Sequence, residues 1–221
     1  MPDFTAPERA RVALLTVNAQ RDFTHKGSPL RACGSDGARA VLQPLVASAR
    51  AVGIPIVHAV RLYRPDASNV DSFRRQAVRE GLRVLMPGTS GAELIDEVRP
   101  APGVRLDAAE LLSGAAQAVG PNEWALYKPR WGAFHGTHLE AHLHDHDVST
   151  LIVCGFNFTT SVRATIYEAG ARDFRIVVVP DALSGASEDA VQELGRIGVY
   201  LMPSAVCLDW LQRDATARAA A

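Results

Sequence analysis

Six short runs of apolar, largely β-branched residues recur along the chain, and much longer intervals separate most of them. They are VALLTV at 12–17, IPIVHAV at 54–60, EWALYK at 123–128, STLIVC at 149–154, FRIVVVP at 174–180 and VYLM at 199–202. Continuous apolar strands that alternate with helical segments are typical of a parallel sheet covered on both faces. We therefore predict an α/β fold, a three-layer, doubly wound, Rossmann-like sheet of about six mainly parallel strands with helices on both faces.

The intervals between these runs carry helix signals. Over residues 38–52, helical periodicity places Leu42, Leu45, Val46 and Ala49 on one face. Hydroxyl residues that could cap helices occur at Thr137, in the run 159–161 and at Ser204. The long interval from about 61 to 122 contains the helical stretches DSFRRQAVREG and DAAELLSGAAQ around a GTSG turn, and we expect it to form an excursion over the sheet edge.

Composition indicates one globular domain that acts on a small molecule. The chain has 221 residues, 48% of them hydrophobic, and a formal net charge of −1. We expect a single domain over 11–214, an N-terminal extension at 1–10 and a flexible tail at 215–221. The near-zero charge gives no reason to expect nucleic acid or an anionic membrane as partner.

The cysteines and the N-terminus predict a cytoplasmic protein. Cys33, Cys154 and Cys207 are an odd set without zinc-type spacing, which argues against a disulfide framework and a structural metal. The first ten residues lack the apolar segment of a secretory signal, and no stretch approaches the length of a membrane span. A reducing compartment suits these features.

Polar residues follow three of the predicted strands. In an open parallel sheet, ligands bind beyond the carboxyl ends of the strands, where the winding direction switches. Those ends supply Asn18, Lys128 and the segment 155–161, GFNFTTS. We predict that the functional pocket lies around Asn18, Lys128 and Ser161.

Lys128 and Ser161 each have a catalytic and a structural interpretation. Lys128 precedes PRWGAF, and burial among these aromatic residues would lower the pKa of its amine, although a strand-end lysine can equally be a solvated surface group. Ser161 lies where a turn enters a predicted helix, and amides at such a position can form an oxyanion hole. Its hydroxyl can equally be a helix cap.

Three segments together resemble the isochorismatase-like hydrolase superfamily, also called the cysteine hydrolases, over nearly the whole chain. They are ALLTVNAQRDF, YKPRWGAFHGTHLE and GFNFTTSVRATIYEAGARDFRIVVVPDALSG. The resemblance implies a homo-oligomer and an Asp–Lys–Cys triad in which the thiolate attacks an amide or related carbonyl. Here the aspartate position is Asn18, the lysine is Lys128 and the nucleophile position is Ser161. Cys154 lies inside a strand, and we expect it to be part of the core.

Our first hypothesis is an active serine–lysine variant. A thiol with a pKa of about 8.5 ionises readily, whereas a serine hydroxyl needs a base. Without a carboxylate at position 18, Lys128 can stay neutral and deprotonate Ser161, and serine–lysine pairs are known catalytic variants. Asn18 would orient the amine or substrate, and a turn formed by Asn157, Phe158 and Thr160 would help to stabilise the oxyanion during hydrolysis of a small amide or ester.

Two other hypotheses remain open. The altered triad also fits a catalytically silent relative that keeps the pocket to bind a metabolite or a partner protein. A third possibility is vinyl-ether hydrolysis of the isochorismatase type, which needs no cysteine but relies on the aspartate as general acid. Asn18 counts against that reaction unless Asp22 supplies the acid.

Further residues are candidates for binding the substrate. Phe23 belongs to the first segment of the resemblance. Arg61, Tyr63 and Arg64 follow the second strand and could anchor a substrate carboxylate, or lie in an exposed loop. The aromatic residues Trp131 and Phe134, together with Phe158, could form the apolar wall of the pocket or pack in the core. His135 could protonate a leaving group if it turns inward.

We predict neither a metal nor a cofactor. The histidines of HLEAHLHDHD, His138, His142, His144 and His146, suggest a metal site, but they precede the fourth strand and thus lie at the amino edge of the sheet. We interpret them as a solvated helix face. Some members of the superfamily bind a metal near the second strand, but here only His58 remains there.

Overall fold

The computed structural model describes residues 3–213 and has a seven-stranded sheet at its centre. The strand order is β3-β4-β2-β1-β5-β6-β7, and every pairing is parallel except the antiparallel β3–β4 pair at one edge. The strands are β1 (Val12–Val17), β2 (Ile56–Val60), β3 (Ala116–Gly120), β4 (Glu123–Tyr127), β5 (Thr150–Gly155), β6 (Arg175–Leu183) and β7 (Tyr200–Leu201).

Helices cover both faces of this sheet, as predicted. They are α1 (Ser35–Val52), α2 (Ser72–Arg79), α3 (Ala108–Leu112), α4 (Leu139–Asp145), α5 (Arg163–Gly170), α6 (Glu188–Arg196) and α7 (Ser204–Gln212). One core contains buried residues of α1 and α7, and the other contains buried residues of α4, α5 and α6. Strand β1 alternates between the two cores, with Leu14 in the first and Leu15 in the second. The predicted α/β class and doubly wound arrangement are confirmed.

The predicted face of α1 is buried as expected. Leu42, Leu45, Val46 and Ala49 are fully shielded from solvent. The amphipathic spacing therefore identified both the helix and the side that contacts the sheet.

The prediction of six strands missed β3. Its sequence, AQAVG, has small side chains, and the strand is mostly half-buried at the sheet edge, so it lacks the apolar run that revealed the others. The predicted helical stretch DAAELLSGAAQ overlaps β3 only at Ala116 and Gln117, and the helix is shorter than predicted, because α3 ends at Leu112 and Gly114 follows with a φ of 96°. The rest of the excursion contains α2 as predicted, together with a short 3₁₀ turn at Ser90–Ala92.

The three predicted helix starts differ in how their caps are made. The Thr137 hydroxyl accepts a hydrogen bond from the Leu139 amide at 3.3 Å, so it helps to start α4. Helix α7 begins at Ser204, but the Asp181 carboxylate accepts the Ser204 amide at 2.8 Å and supplies the cap. Residues 159–161 are not caps, because they lie within a π-helical turn, Phe158–Val162, that precedes α5.

The segment at 3–10 is attached to the sheet, since the Glu8 amide donates to Thr150 Oγ1 at 2.9 Å. The predicted tail at 215–221 lies outside the described residues. Cys154 is fully buried in a core, as predicted, and burial raises the pKa of its thiol. Between residues 3 and 213, no helix combines the length and apolar character needed to cross a bilayer.

A buried polar network joins three strands and α1. His58 lies 2.7 Å from the Thr16 hydroxyl through Nδ1 and 2.7 Å from Glu123 through Nε2. Arg50 donates two hydrogen bonds to the same carboxylate, at 2.8 and 2.7 Å. Burial opposes ionisation of Glu123, but the bonds from Arg50 and His58 outweigh it and lower the pKa of the carboxyl to about 2. His58, which we had considered as a remnant of a metal site, instead aligns β1, β2 and β4.

Gly155, at the end of β5, is required by a close backbone contact. Its φ is 130°, and a Cβ at this position would lie 2.2 Å from the Val17 carbonyl oxygen. We predict that Gly155→Ala lowers the free energy of unfolding by at least about 2 kcal/mol, because both the backbone angle and the contact exclude a side chain. Urea denaturation measures this loss.

The matched control is Gly37→Ala in α1, where nothing lies within 4 Å of the added methyl group. Alanine favours the helix over glycine, so this variant should gain about 0.5–1 kcal/mol. Equal midpoints for the two variants would show that the close approach at Gly155 is not limiting.

Candidate active site

The structure brings Lys128 and Ser161 into contact at the carboxyl edge of the sheet. Lys128 follows β4, and its amide donates to the Val60 carbonyl at 2.9 Å, which continues the parallel pairing with β2. Ser161 lies in the π-helical turn after β5. Lys128 Nζ is 3.4 Å from Ser161 Oγ, and Ser161 is 5% exposed. The predicted proximity of the amine and the hydroxyl is therefore present.

The amine of Lys128 is fully buried and held by two backbone carbonyls. Nζ donates to the Trp131 carbonyl at 3.0 Å and to the Arg130 carbonyl at 3.2 Å. Burial is the main cause that shifts the pKa of this amine well below its ordinary value of 10.5, and the nearby charges of Arg61 and Arg74 add to the shift. The carboxylates of Glu168 and Asp71 act in the opposite direction without cancelling it. The site thus favours the neutral amine.

Asn18 follows β1 at the same edge of the sheet, and its side chain bonds to neither Lys128 nor Ser161. It is fully buried, has a φ of 56°, and its Nδ2 donates weakly to the Phe156 carbonyl at 3.4 Å. Its Oδ1 is buried without a hydrogen-bond partner. Position 18 therefore presents an unpartnered acceptor, in a backbone conformation that asparagine tolerates better than most residues.

The turn that presents Ser161 differs from the expected oxyanion hole. The amides of Thr160 and Ser161 both donate to the Asn157 carbonyl, at 3.2 and 3.1 Å, so neither is free to bind an oxyanion in this structure. Asn157 has a φ of 66°, and its own amide donates to Ser184 Oγ at 2.8 Å. Thr160 Oγ1 is buried and has no partner. The turn thus contains a buried hydroxyl without a partner, and π-helical turns of this kind are frequent at functional sites.

Gln20 is a positioning residue that the sequence analysis did not single out. Its amide nitrogen donates to the carbonyls of Arg61 and Ala92, at 2.8 and 2.6 Å, and its Oε1 accepts the Arg61 amide at 2.7 Å. Gln20 therefore fixes the backbone at the end of β2. The sequence signal that could have identified Gln20 is its position directly after β1, in the segment VNAQ.

Asp22 supports a loop. Its Oδ2 lies 2.5 Å from the Leu85 amide, which donates to it, and Leu85 has a φ of 53°. The side chain also fills the space next to Gly91, where an added Cβ would lie 2.2 Å from the carboxylate. A structural role thus accounts for the acid that we had considered as a substitute at position 18.

Arg61 forms a buried ion pair with Asp71, which is not among the predicted site residues. Arg61 Nη2 donates to Asp71 Oδ2 at 2.8 Å, and the Tyr63 hydroxyl donates to the same oxygen at 3.1 Å. Arg61 Nη1 and Asp71 Oδ1 are buried without partners. Arg64, in contrast, is exposed. The signal for Asp71 was weak, because it lies within the long excursion.

A groove of about 380 Å³ opens beside these residues. Phe73 and Trp131 stack at its wall, with ring centroids 4.9 Å apart. The groove is lined by Asp71, Ser72, Phe73, Arg130, Trp131, Gly132, His135, Ala164 and Glu168. A depression of about 430 Å³ lies elsewhere, against Phe4 and Ile197, away from Lys128. The groove next to Trp131 is the candidate substrate site because the carbonyls of two of its lining residues bind Lys128 Nζ.

Several predicted substrate contacts are placed differently. Phe23, a candidate substrate contact, lies in the first core, and Phe134, a candidate for the apolar wall, packs on Phe174 in the second core with ring centroids 5.6 Å apart. Phe158 is also buried in the second core. Trp131 and His135 do line the groove, and the His135 amide donates to Glu168 at 3.3 Å.

The histidines of α4 form an aromatic cluster at the amino edge. His142 and His146 lie edge-on to Trp124, with ring centroids 4.8 and 4.5 Å away, and both are half-buried, whereas His138 and His144 are exposed. The face is therefore only partly solvated, contrary to our prediction. Within the described part of the chain, no group of three or more His, Cys, Asp or Glu side chains is placed to hold a metal ion.

Comparison with known proteins agrees with this architecture. The isochorismatase domain model matches residues 12–195. An isochorismatase family protein from Desulfovibrio vulgaris superposes with a TM-score of 0.77 at 31% identity, covering 92% of this chain and 99% of that one.

Two sequence relatives differ in activity. A probable inactive nicotinamidase of Arabidopsis thaliana is 26% identical over 85% of this chain and 89% of its own length. The maleamate amidohydrolase of Pseudomonas putida is 26% identical over 80% of this chain and 74% of its own length. With a matching domain model over most of its length and a shared architecture, this chain belongs to the isochorismatase family.

Proposed function

We propose that this protein hydrolyses a C–N amide bond, or an ester bond, of a small molecule, with Ser161 as nucleophile and Lys128 as base. The observation that carries the proposal is the contact of a buried amine with a buried hydroxyl, 3.4 Å apart. A neutral amine has two N–H groups and one lone pair. The two carbonyls of Arg130 and Trp131 accept the N–H groups, which leaves the lone pair for the hydroxyl of Ser161.

The reaction follows from these positions. Lys128 removes the hydroxyl proton while Ser161 Oγ forms a bond to the substrate carbonyl carbon, and the ammonium then returns a proton to the leaving amine as the C–N bond breaks. Water hydrolyses the acyl-serine with the same base. Thr160 Oγ1, a buried hydroxyl without a partner, is the donor that we assign to the oxyanion, since the two turn amides are engaged by Asn157.

Asn18 takes a binding role in this scheme. An asparagine does not exchange a proton at working pH, so it cannot act as the proton shuttle. Its buried, unpartnered Oδ1 can accept an N–H group of the substrate. The maleamate amidohydrolase supports the choice of an amide bond, because it is a relative over most of its length.

Removing either catalytic group should abolish turnover. We predict that Ser161→Ala and Lys128→Met each lower kcat/KM by roughly 10³-fold on any amide or ester that the protein cleaves, because the nucleophile or its base is lost. Initial rates over a panel of small amides and esters provide the measurement. The controls are Lys26→Met, at the one other lysine of the chain and exposed, and Ser113→Ala, outside the groove. Unchanged activity in either catalytic variant would contradict the mechanism.

The lowered pKa of Lys128 sets the pH dependence. The active form is the neutral amine, so kcat/KM should rise as pH increases through the folded-state pKa and then level off. The folded pKa lies below the unfolded value near 10.5, so the folded state binds fewer protons. Stability from this group therefore increases with pH between those two values and is lowest below both. Lysine-selective ¹³Cε NMR resolves the titration, with Lys26 as the second signal, and an amine that stays cationic up to its ordinary pKa of 10.5 refutes the assignment.

A catalytically silent protein that binds a metabolite or a partner is the second candidate function. Two observations favour it: position 18 lacks the carboxylate, and the amides of Thr160 and Ser161 are engaged by Asn157. The probable inactive nicotinamidase is also similar to most of this chain, over 85% of its length.

A serine-directed reagent separates the two candidates. We predict that an alkyl fluorophosphonate adds one equivalent to the protein and none to Ser161→Ala, because only an activated serine reacts readily. Intact-protein mass spectrometry counts the adducts, with Ser113→Ala as the control. Absence of labelling at pH values above the pKa of Lys128 would favour the silent protein. Release of pyruvate from isochorismate would instead support the vinyl-ether reaction. Asp22 would then have to act as the acid, although its carboxylate accepts a hydrogen bond from the Leu85 amide.

A further inference from the structure

We propose that the Arg61–Asp71 pair selects substrates whose second polar group is uncharged and carries both an N–H donor and a C=O acceptor, as in a carboxamide or ureide. Substrates with a carboxylate at that position should bind less well. This inference rests on the proposed function of the same site, and it names the class of small amide that the groove accepts.

The pair has one free donor and one free acceptor. Arg61 and Asp71 bond through Nη2 and Oδ2 at 2.8 Å, and their side chains are 3% and 5% exposed. Their other terminal atoms, Nη1 and Oδ1, are buried without partners. Buried polar atoms are nearly always hydrogen-bonded, so two orphans on one ion pair point to a missing ligand. A group with an N–H and a C=O satisfies both atoms at once.

Strand pairing and electrostatics place the pair near Lys128. Asp71 lines the groove, whose wall includes Trp131. Arg61 directly follows β2 and Lys128 directly follows the paired strand β4, and both Arg61 and Asp71 contribute to the electrostatic field at the lysine amine. A small substrate that places its scissile carbonyl at Ser161 can therefore extend a second polar group toward the pair.

The free oxygen of Asp71 favours an uncharged group over a carboxylate. The charge of Arg61 is compensated by Asp71, and the groove lining also contains one acid, Glu168, and one base, Arg130, of opposite charge. A substrate carboxylate would meet the free oxygen of Asp71, which accepts but cannot donate. Asp71 directly precedes α2, yet its side chain does not cap that helix and is turned to Arg61 instead. This arrangement replaces our earlier expectation that Arg61 anchors a carboxylate.

Binding requires the lip of the groove to open, since Nη1 and Oδ1 are shielded from water. Phe73 follows Asp71 by two residues, is 79% exposed and stacks on Trp131. Because most of its surface is already exposed, displacement of the Phe73 ring costs little buried surface.

The test measures binding to Ser161→Ala, so that it does not depend on turnover. Isothermal titration calorimetry compares succinamide with succinamate, which differ only in the second group, an amide or a carboxylate. We expect succinamide to bind at least about tenfold more tightly. In Asp71→Asn, the side-chain oxygen can still accept the hydrogen bond from Arg61 Nη2, while the free position held by Oδ1 becomes an N–H donor. The preference should therefore reverse toward succinamate. The control Asp145→Asn, an exposed residue of α4, changes the charge equally and should leave the preference unchanged.

Each result decides the inference separately from the proposed function. Tighter binding of succinamate than of succinamide, equal binding, or no binding of either at millimolar concentration overturns the inference. If Asp71→Asn does not fold, Arg61→Lys serves instead, because it removes the free donor Nη1 but keeps the positive charge. A loss of about tenfold in succinamide affinity is then expected. A diamide preference without any turnover in the unmodified protein would leave the inference intact while the hydrolase proposal fails.

Discussion

The parallel register of β4, β2, β1 and β5 is the constraint on which the site depends. Val17 pairs with Ala59 on one side and with Gly155 on the other, and Val60 pairs with Tyr127. The residues that follow these positions must therefore meet at one edge of the sheet, although more than 130 positions separate the first from the last. Gly155 allows β5 to lie close to β1, because a side chain there would collide with Val17.

Burial at this edge gives the lysine its chemistry. A solvated lysine is a cation at neutral pH, whereas the amine of Lys128 is held in a dry site by two carbonyls and faces the hydroxyl of Ser161. A carboxylate at position 18 would add a charge that favours the ammonium form. The asparagine at that position and the serine at the nucleophile position are thus mutually consistent, since a serine needs a neutral base and a cysteine does not.

The buried polar groups near the site fall into two sets, with and without hydrogen-bond partners in the protein. Gln20 and the Arg50–Glu123–His58 network fix the backbone and the strands, and their polar atoms are largely satisfied within the protein. At the carboxyl edge of the sheet and in the π-helical turn, in contrast, Asn18, Arg61, Asp71 and Thr160 each keep a buried polar atom without a partner. Such atoms also occur elsewhere, as in Ser35, Ser48 and Glu97, so those at this edge are positions where a ligand can supply a hydrogen bond and do not by themselves mark the site.

The sequence by itself determined the alternating architecture, the buried face of α1 and the strand ends that carry Asn18, Lys128 and Ser161, because hydrophobic periodicity and strand-end position are local properties. It could not show β3, whose small residues give no apolar pattern, nor the pairing of Arg61 with Asp71, since that contact depends on how the excursion folds back. It also placed Phe23 and Phe134 at the substrate, whereas packing put them in the two cores. Only the tertiary structure decided that the Thr160 and Ser161 amides are engaged by Asn157, because the bonds of a π-helical turn depend on backbone geometry that residue types do not encode.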